Sequence, residues 1–141
     1  MITNDKRSCV LLVDDDPDDI FLHKLVIEES GIDPQIIVAE NGEEARNYFL
    51  TTDSARFQKP DVILLDINMP RMNGLEFLAC YNALSPELRI DTKVVILSTS
   101  MYDFEKARKI YPTIMYCTKP LSQQIFLDIY QGKHLPLKTR P

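Results

Sequence analysis

No stretch of this sequence approaches the roughly 20 consecutive apolar residues of a membrane span. The only apolar run near the start, Cys9–Val13, is too short for the core of a secretion signal. A cytoplasmic protein with no membrane contact is therefore expected. Cysteine is scarce and odd in number: Cys9, Cys80 and Cys117 are far apart and lack metal-ligand spacing. That excludes a disulfide framework or zinc site and leaves reduced packing residues. Basic residues are too few for a concentrated cationic surface, 16 Lys and Arg against 21 Asp and Glu. Direct DNA binding is excluded on that ground, and an acidic domain meets a protein or a cation. Of the two histidines, His23 is placed on an exposed helix face and His134 in the C-terminal tail, so neither is a ligand candidate.

What is present is an ordinary globular composition, 45% apolar and 26% charged over 141 residues, enough for one domain and no second output domain. Apolar runs and turn residues mark out strands at Cys9–Val13, Gln35–Ala39 and Val62–Leu65, and at 93–97 and 114–117. Pro17 sits near the start of a first helix that ends at Gly31 and should carry Ile20, Leu22, Leu25, Val26 and Ile27 largely on one side, the inner one. Asn41-Gly42 opens a second helix bearing Ala45, Tyr48, Phe49 and Leu50; the third is expected over 74–84 and the last over 121–130. A short fourth helix over 103–110 must stop before Pro112, since a residue preceding proline is pushed out of the helical region. Five strands alternating with helices predict an α/β, doubly wound (βα)5 fold with a parallel sheet covered on both faces; the strand order taken for it is the flavodoxin-like 2-1-3-4-5.

Right-handed crossovers bring all strand C-termini to one edge, where ligands bind. Three strands end there in chemistry. The first runs into Asp14-Asp15-Asp16, the third into Asp66 and the fourth into Ser98-Thr99-Ser100. Strands 1 and 3 are neighbours in that order, so Asp14, Asp15 and Asp66 should converge. Two carboxylates about 4 Å apart repel by roughly 4 kcal/mol at an effective dielectric near 20, so the cluster takes up a proton or a cation. With no histidine or thiolate in these loops, Mg2+ is the expected cofactor, with Mn2+ as a substitute. Lys119, before Pro120, can pair with Asp66 at rest and with a phosphoryl oxygen after modification. Pro120 can fix the lysine through a rigid or cis peptide bond. A nucleophilic carboxylate, a hydroxyl, a lysine and a divalent cation make a phosphoryl-transfer site.

With LLVDDD, LLDINMPRMNG and CTKP in view, the chain resembles a response-regulator receiver domain, the phosphoacceptor half of a two-component signalling pair. The likeness extends over about Cys9 through Gln131; it implies a receiver domain over 8–131 between an N-terminal extension, 1–7, and a basic tail, 132–141. It also implies Asp66 as phosphoacceptor, Asp15 as direct metal ligand with Asp66, Asp14 as a ligand through water, and Asn68 as a ligand through its backbone carbonyl. Ser98 and Lys119 match the family's phosphoryl-binding hydroxyl and lysine. Tyr116, three residues before Lys119, matches the switch aromatic, which turns inward on phosphorylation and should be partly exposed at rest. The implied partners are a sensor histidine kinase or phosphotransfer protein, a downstream protein target, and a second copy through helix 4, strand 5 and helix 5. The likeness is to single-domain regulators of the chemotaxis type, including those serving phytochrome kinases. Two departures stand out: Ile110-Tyr111-Pro112-Thr113 replaces the usual Gly-Ala, which implies a short or differently set fourth helix, and the connection 85–91 is long.

Two other readings compete. A haloacid-dehalogenase-type phosphatase would use Asp14 of the Asp-x-Asp sequence as nucleophile, with Ser98 and Lys119 in later roles. It expects threonine or valine where Asp18 stands, an acidic pair after Lys119, and leaves Asp66 unused. A calcium loop through Asp14, Asp16 and Asp18 lacks its glycine, where Asp19 stands, and its final glutamate, where Leu25 stands. Asp16, Asp18 and Asp19 are instead expected to be helix-capping or solvated residues.

Overall fold

The computed structural model describes residues 7–133. The N-terminal extension, most of the basic tail and His134 lie outside or at the margin of that range. The elements are β1 (Cys9–Val13), α1 (Pro17–Glu29), β2 (Gln35–Ala39), α2 (Gly42–Phe49), β3 (Val62–Leu65), α3 (Gly74–Asn82), β4 (Lys93–Ser98), α4 (Met101–Ile110), β5 (Met115–Thr118) and α5 (Gln123–Tyr130), with a 3-10 turn at Pro86–Leu88 in the long connection before β4. All strand pairs are parallel and the order is β2-β1-β3-β4-β5.

The inner strands are buried on both faces, which is why they read as unbroken apolar runs rather than alternating ones. Successive side chains still point to opposite sides. Leu11, Val13, Ile63, Leu65 and Ile96 pack with Phe49, Phe77, Tyr81 and Phe104 of α2, α3 and α4. Val10, Leu12, Leu64, Val95 and Leu97 pack with Ile27, Phe126 and Ile129 of α1 and α5. Each helix begins on a side-chain cap that accepts a backbone N–H: Asp16, Asn41, Asn73, Ser100 and Ser122. Asn73 and Glu76 complete a reciprocal capping box.

The inner side of α1 differs from expectation. His23 and Ile27 are buried, whereas Leu22 and Leu25 are exposed beside Phe21. At 3.6 residues per turn, Leu22 and Leu25 lie roughly 100° and 160° around the helix from His23. Leu50 is likewise exposed, because it caps α2 beyond its last turn. The fourth helix is not short: capped by Ser100, it runs ten residues, buries Phe104 and Ala107, and ends at Tyr111, whose ring packs against Tyr81 at 5.6 Å. Among the described residues, no helix is long and apolar enough to cross a membrane.

Candidate functional site

The sheet's hydrogen-bond ladder reaches into the loops that carry the acidic residues. The Asp14 N–H donates to Ala39 O at 3.0 Å, Asp66 N–H to Val13 O at 2.9 Å, and Lys119 N–H to Ser98 O at 3.1 Å. Three chemically distinct positions are thereby registered to neighbouring strands rather than to flexible loop. Gly74 seals the arrangement from below: a Cβ there would stand 2.3 Å from the Asp66 backbone oxygen, so the start of α3 approaches the end of β3 only without a side chain.

Carboxylate oxygens of Asp14, Asp15 and Asp66 lie within 4.8 Å of one another. Asp14 is buried, Asp66 is half-buried and Asp15 is exposed. Burial pushes the Asp66 carboxyl up to about 6, with Lys119 pulling it down and Asp14 pushing it further up. Asp14 is raised by burial too, against the opposing Asp16 N–H and Lys119. The cluster thus carries the crowding that a cation relieves, and its donors are oxygens alone. That donor set fits Mg2+ or Mn2+ and not a soft metal.

Lys119 lies in the middle of the acids. Its Nζ is 2.9 Å from Asp19 Oδ2, 3.3 Å from Asp66 Oδ1 and 3.5 Å from Asp14 Oδ2. Burial alone would favour the neutral amine, but the three carboxylates outweigh it and raise the ammonium's pKa. Lys119-Pro120 is a cis peptide bond, one of the two alternatives expected for it. A cavity of about 510 Å³ opens over the group, lined by Asp15, Asp66, Asn68, Ser98 and Lys119 among others.

Ser98 is buried at the end of β4, and its hydroxyl donates to Asp103 Oδ2 at 2.9 Å in the first turn of α4. Tyr116 departs from the expectation of partial exposure. Its ring is buried, packs on Phe104 at 5.4 Å, and its hydroxyl donates to Ser98 O at 3.2 Å. That carbonyl also receives the Lys119 N–H, so the Tyr116 hydroxyl and the Lys119 backbone share one acceptor.

Two residues escaped the sequence reading. Asp19, expected to be a cap or a solvated residue, is the nearest carboxylate to Lys119; Asp16 is the cap. The signal was available, because a helix starting at Pro17 puts Asp19 in its first turn at the edge where Lys119 emerges. His23, expected on an exposed face, is buried, and its Nε2 accepts the Leu121 N–H at 3.4 Å just beyond Lys119. Asp18 stays exposed in α1, so the alternating Asp14, Asp16 and Asp18 do not form a loop site.

Known proteins are similar to this chain in sequence and in fold. PilH of Pseudomonas aeruginosa is 31% identical over 84% of this chain and 90% of its own length. The alkaline phosphatase synthesis regulator PhoP of Bacillus subtilis is 31% identical over 80% of this chain, which spans 42% of that longer protein. Among solved structures, the bacteriophytochrome response regulator RtBRR aligns with a TM-score of 0.76 at 27% identity, over 96% of this chain and 84% of that one. The Mn2+-bound form of response regulator Rcp1 aligns with a TM-score of 0.68 at 28% identity, over 88% and 90%. The model of the response regulator receiver domain matches residues 10–130, and the chain therefore belongs to that family of phosphoacceptor signalling domains.

Proposed function

We propose that this protein is a response regulator whose receiver domain accepts a phosphoryl group on Asp66 from a histidine kinase or phosphotransfer protein. One observation carries the reading: Asp66 reaches the cavity with Asp14 and Asp15 within 4.8 Å and the Lys119 ammonium at 3.3 Å. A carboxylate oxygen of Asp66 attacks phosphorus; the new P–O bond forms as the P–N bond of the donor phosphohistidine breaks, and the electron pair returns to the imidazole nitrogen. Lys119 draws charge from the transferring group, and Ser98 donates its hydroxyl to a phosphoryl oxygen. Asp15, Asp66, the Asn68 backbone carbonyl and, through water, Asp14 would hold Mg2+ or Mn2+, which when bound offsets the negative charge of the phosphoryl group.

The added charge of about one unit and the new acceptor oxygens on Asp66 pull Ser98 away from Asp103. The output is a population shift at the surface of α4, β5 and α5, where a downstream protein or a second copy docks. Ser98 and Tyr116 are the switch pair. Tyr116 already faces inward, so the exchange of partners at Ser98 starts the change, and the Tyr116 hydroxyl follows the Ser98 carbonyl.

Incubation with acetyl phosphate and Mg2+, then intact mass and peptide mapping, tests this. A single cation-dependent adduct on Asp66, absent from Asp66→Asn, is the expected result. An adduct on Asp14 would favour the phosphatase reading instead. The geometry weighs against that, because Asp14 is 1% exposed whereas Asp66 lines the cavity.

A further inference from the structure

The Lys119 ammonium has three N–H donors, and three carboxylates stand around it. Asp66, the proposed acceptor, and Asp14 belong to the acidic cluster. Asp19 does not: it comes from the first turn of α1 and makes the shortest contact of the three, 2.9 Å. We infer that Asp19 is a positioning residue, the exchangeable counterion that holds Lys119 in the resting protein and is released when the lysine turns to the phosphoryl group. This rests on the proposed phosphorylation of Asp66.

A phosphoryl group on Asp66 brings further acceptor oxygens beside an ammonium already hydrogen-bonded to Asp14 and Asp19, so turning toward them loosens one of those two contacts. The cost of release differs between the two. Asp14 is 1% exposed, and its charge would be left unpaired in the interior, the expensive outcome for a buried pair. Asp66 carries the phosphoryl group and stays near the lysine. Asp19 has a side chain 32% exposed at the cavity mouth, where water can replace the ammonium. It is the partner lost most cheaply, and its grip opposes the modified state. Once released, its charge still faces the phosphoryl oxygens, which acts in the same direction.

Removing the Asp19 charge should therefore favour a phosphoryl-like ligand on Asp66. The probe is fluoroberyllate, which coordinates a carboxylate oxygen in phosphoryl-like geometry, titrated by 19F NMR at saturating Mg2+. Asp19→Asn should bind it roughly five-fold more tightly than wild type, the size of one partly exposed ion pair. Asp19→Glu should return toward wild type. Asp18→Asn, which removes an exposed charge from the same turn, should match wild type. In a Lys119→Met background, Asp19→Asn should have a smaller effect, since only the direct repulsion between its charge and the phosphoryl oxygens remains. Equal affinities of Asp19→Asn and wild type, or an undiminished effect in the Lys119→Met background, would overturn the inference. A merely structural role in the first turn of α1 would lower thermal stability while leaving the affinity unmoved, which overturns it as well. Failure of wild type itself to bind the probe would instead reject the phosphoacceptor reading and this inference with it.

Discussion

The hydroxyl of Ser98 is hydrogen-bonded to the carboxylate of Asp103, 2.9 Å away. A group proposed to meet the phosphoryl oxygen is thus tied at rest to the first turn of α4, with Ser100, the cap of that helix, next to it. A hydrogen bond to a charged acceptor contributes about 1.5–3 kcal/mol. Asp103→Ala should lower the stability of the resting protein by about 1 kcal/mol or more, as should Ser98→Ala, and the double variant should cost less than the sum. Denaturant melts of the four proteins read the coupling. Additive losses would mean that the contact contributes nothing to the resting state.

Gly74→Ala should be among the most damaging single-methyl additions in the protein. Its Cβ would meet the Asp66 backbone oxygen at 2.3 Å and Ile67 Cα at 2.9 Å, both main-chain atoms that cannot swing aside. Overpacking of this kind costs about 1–3 kcal/mol, and here the shift would displace Asp66 itself. Melts should show the loss, and acetyl phosphate labelling should slow even under conditions where the variant is fully folded. A variant that labels at the wild-type rate would show that the close approach does not position Asp66.

The fold and the acidic cluster were legible in the sequence for one reason. Strands such as Val62–Leu65 are buried on both faces, so they stand out as apolar runs, and parallel topology then sends their C-terminal residues to one edge. Asp14, Asp15, Asp66, Ser98 and Lys119 follow from strand ends alone. Helix phase was less legible. The stretch from Ile20 to Ile27 is apolar almost all round, and five of its residues could have faced the sheet. The buried choice includes His23, a residue that hydropathy places outside, and excludes Leu22 and Leu25. Asp19 was misread with it, because its partner depends on the same helix phase. Tyr116 could be assigned by position, but whether its ring faces in or out is a rotamer choice set by Phe104 and the Ser98 carbonyl.

Metal binding should be proton-linked. Burial, reinforced by Asp14 and opposed by Lys119, raises Asp66 from 3.8 to about 6. A raised folded-state value means that, in metal-free protein, its contribution to stability is fully present below the unfolded value and is lost as pH rises through about 6. A cation on that oxygen displaces the proton, so Mg2+ affinity should climb with pH up to about 6 and level off above it. Calorimetry in two buffers of different ionisation enthalpy should detect proton release on binding near that pH. Asp66→Asn should remove both the release and its share of the pH dependence. A pH-independent affinity from 5 to 7 would place the metal away from Asp66.

His23 should give a pH dependence of the opposite sign. Its imidazole is buried behind the acidic site, and Nε2 accepts the Leu121 N–H, so the neutral ring carries its proton on Nδ1, which has no partner among the described residues. Burial lowers its pKa below 6.5, helped by Lys119 and opposed by Asp14 and Asp19. Well above 6.5 the ring is neutral in both folded and unfolded chains and no stability is lost. As pH falls below that value the unfolded chain protonates first, and stability is lost until the folded-state value is passed. The structural event is specific, because a proton on Nε2 breaks the bond to Leu121, two residues past Lys119. Asp66 and Asp14, with raised values, add stability over the same interval, so the wild-type profile alone mixes two trends. His23→Gln keeps an acceptor for Leu121 without a titrating group, and subtracting its profile isolates the histidine. Urea melts from pH 7.5 to 5 should show wild type losing stability relative to the variant at up to about 1.4 kcal/mol per pH unit. Parallel profiles would mean that the ring takes up its proton as easily folded as unfolded, and that the α1 contact to Leu121 does not depend on a neutral His23.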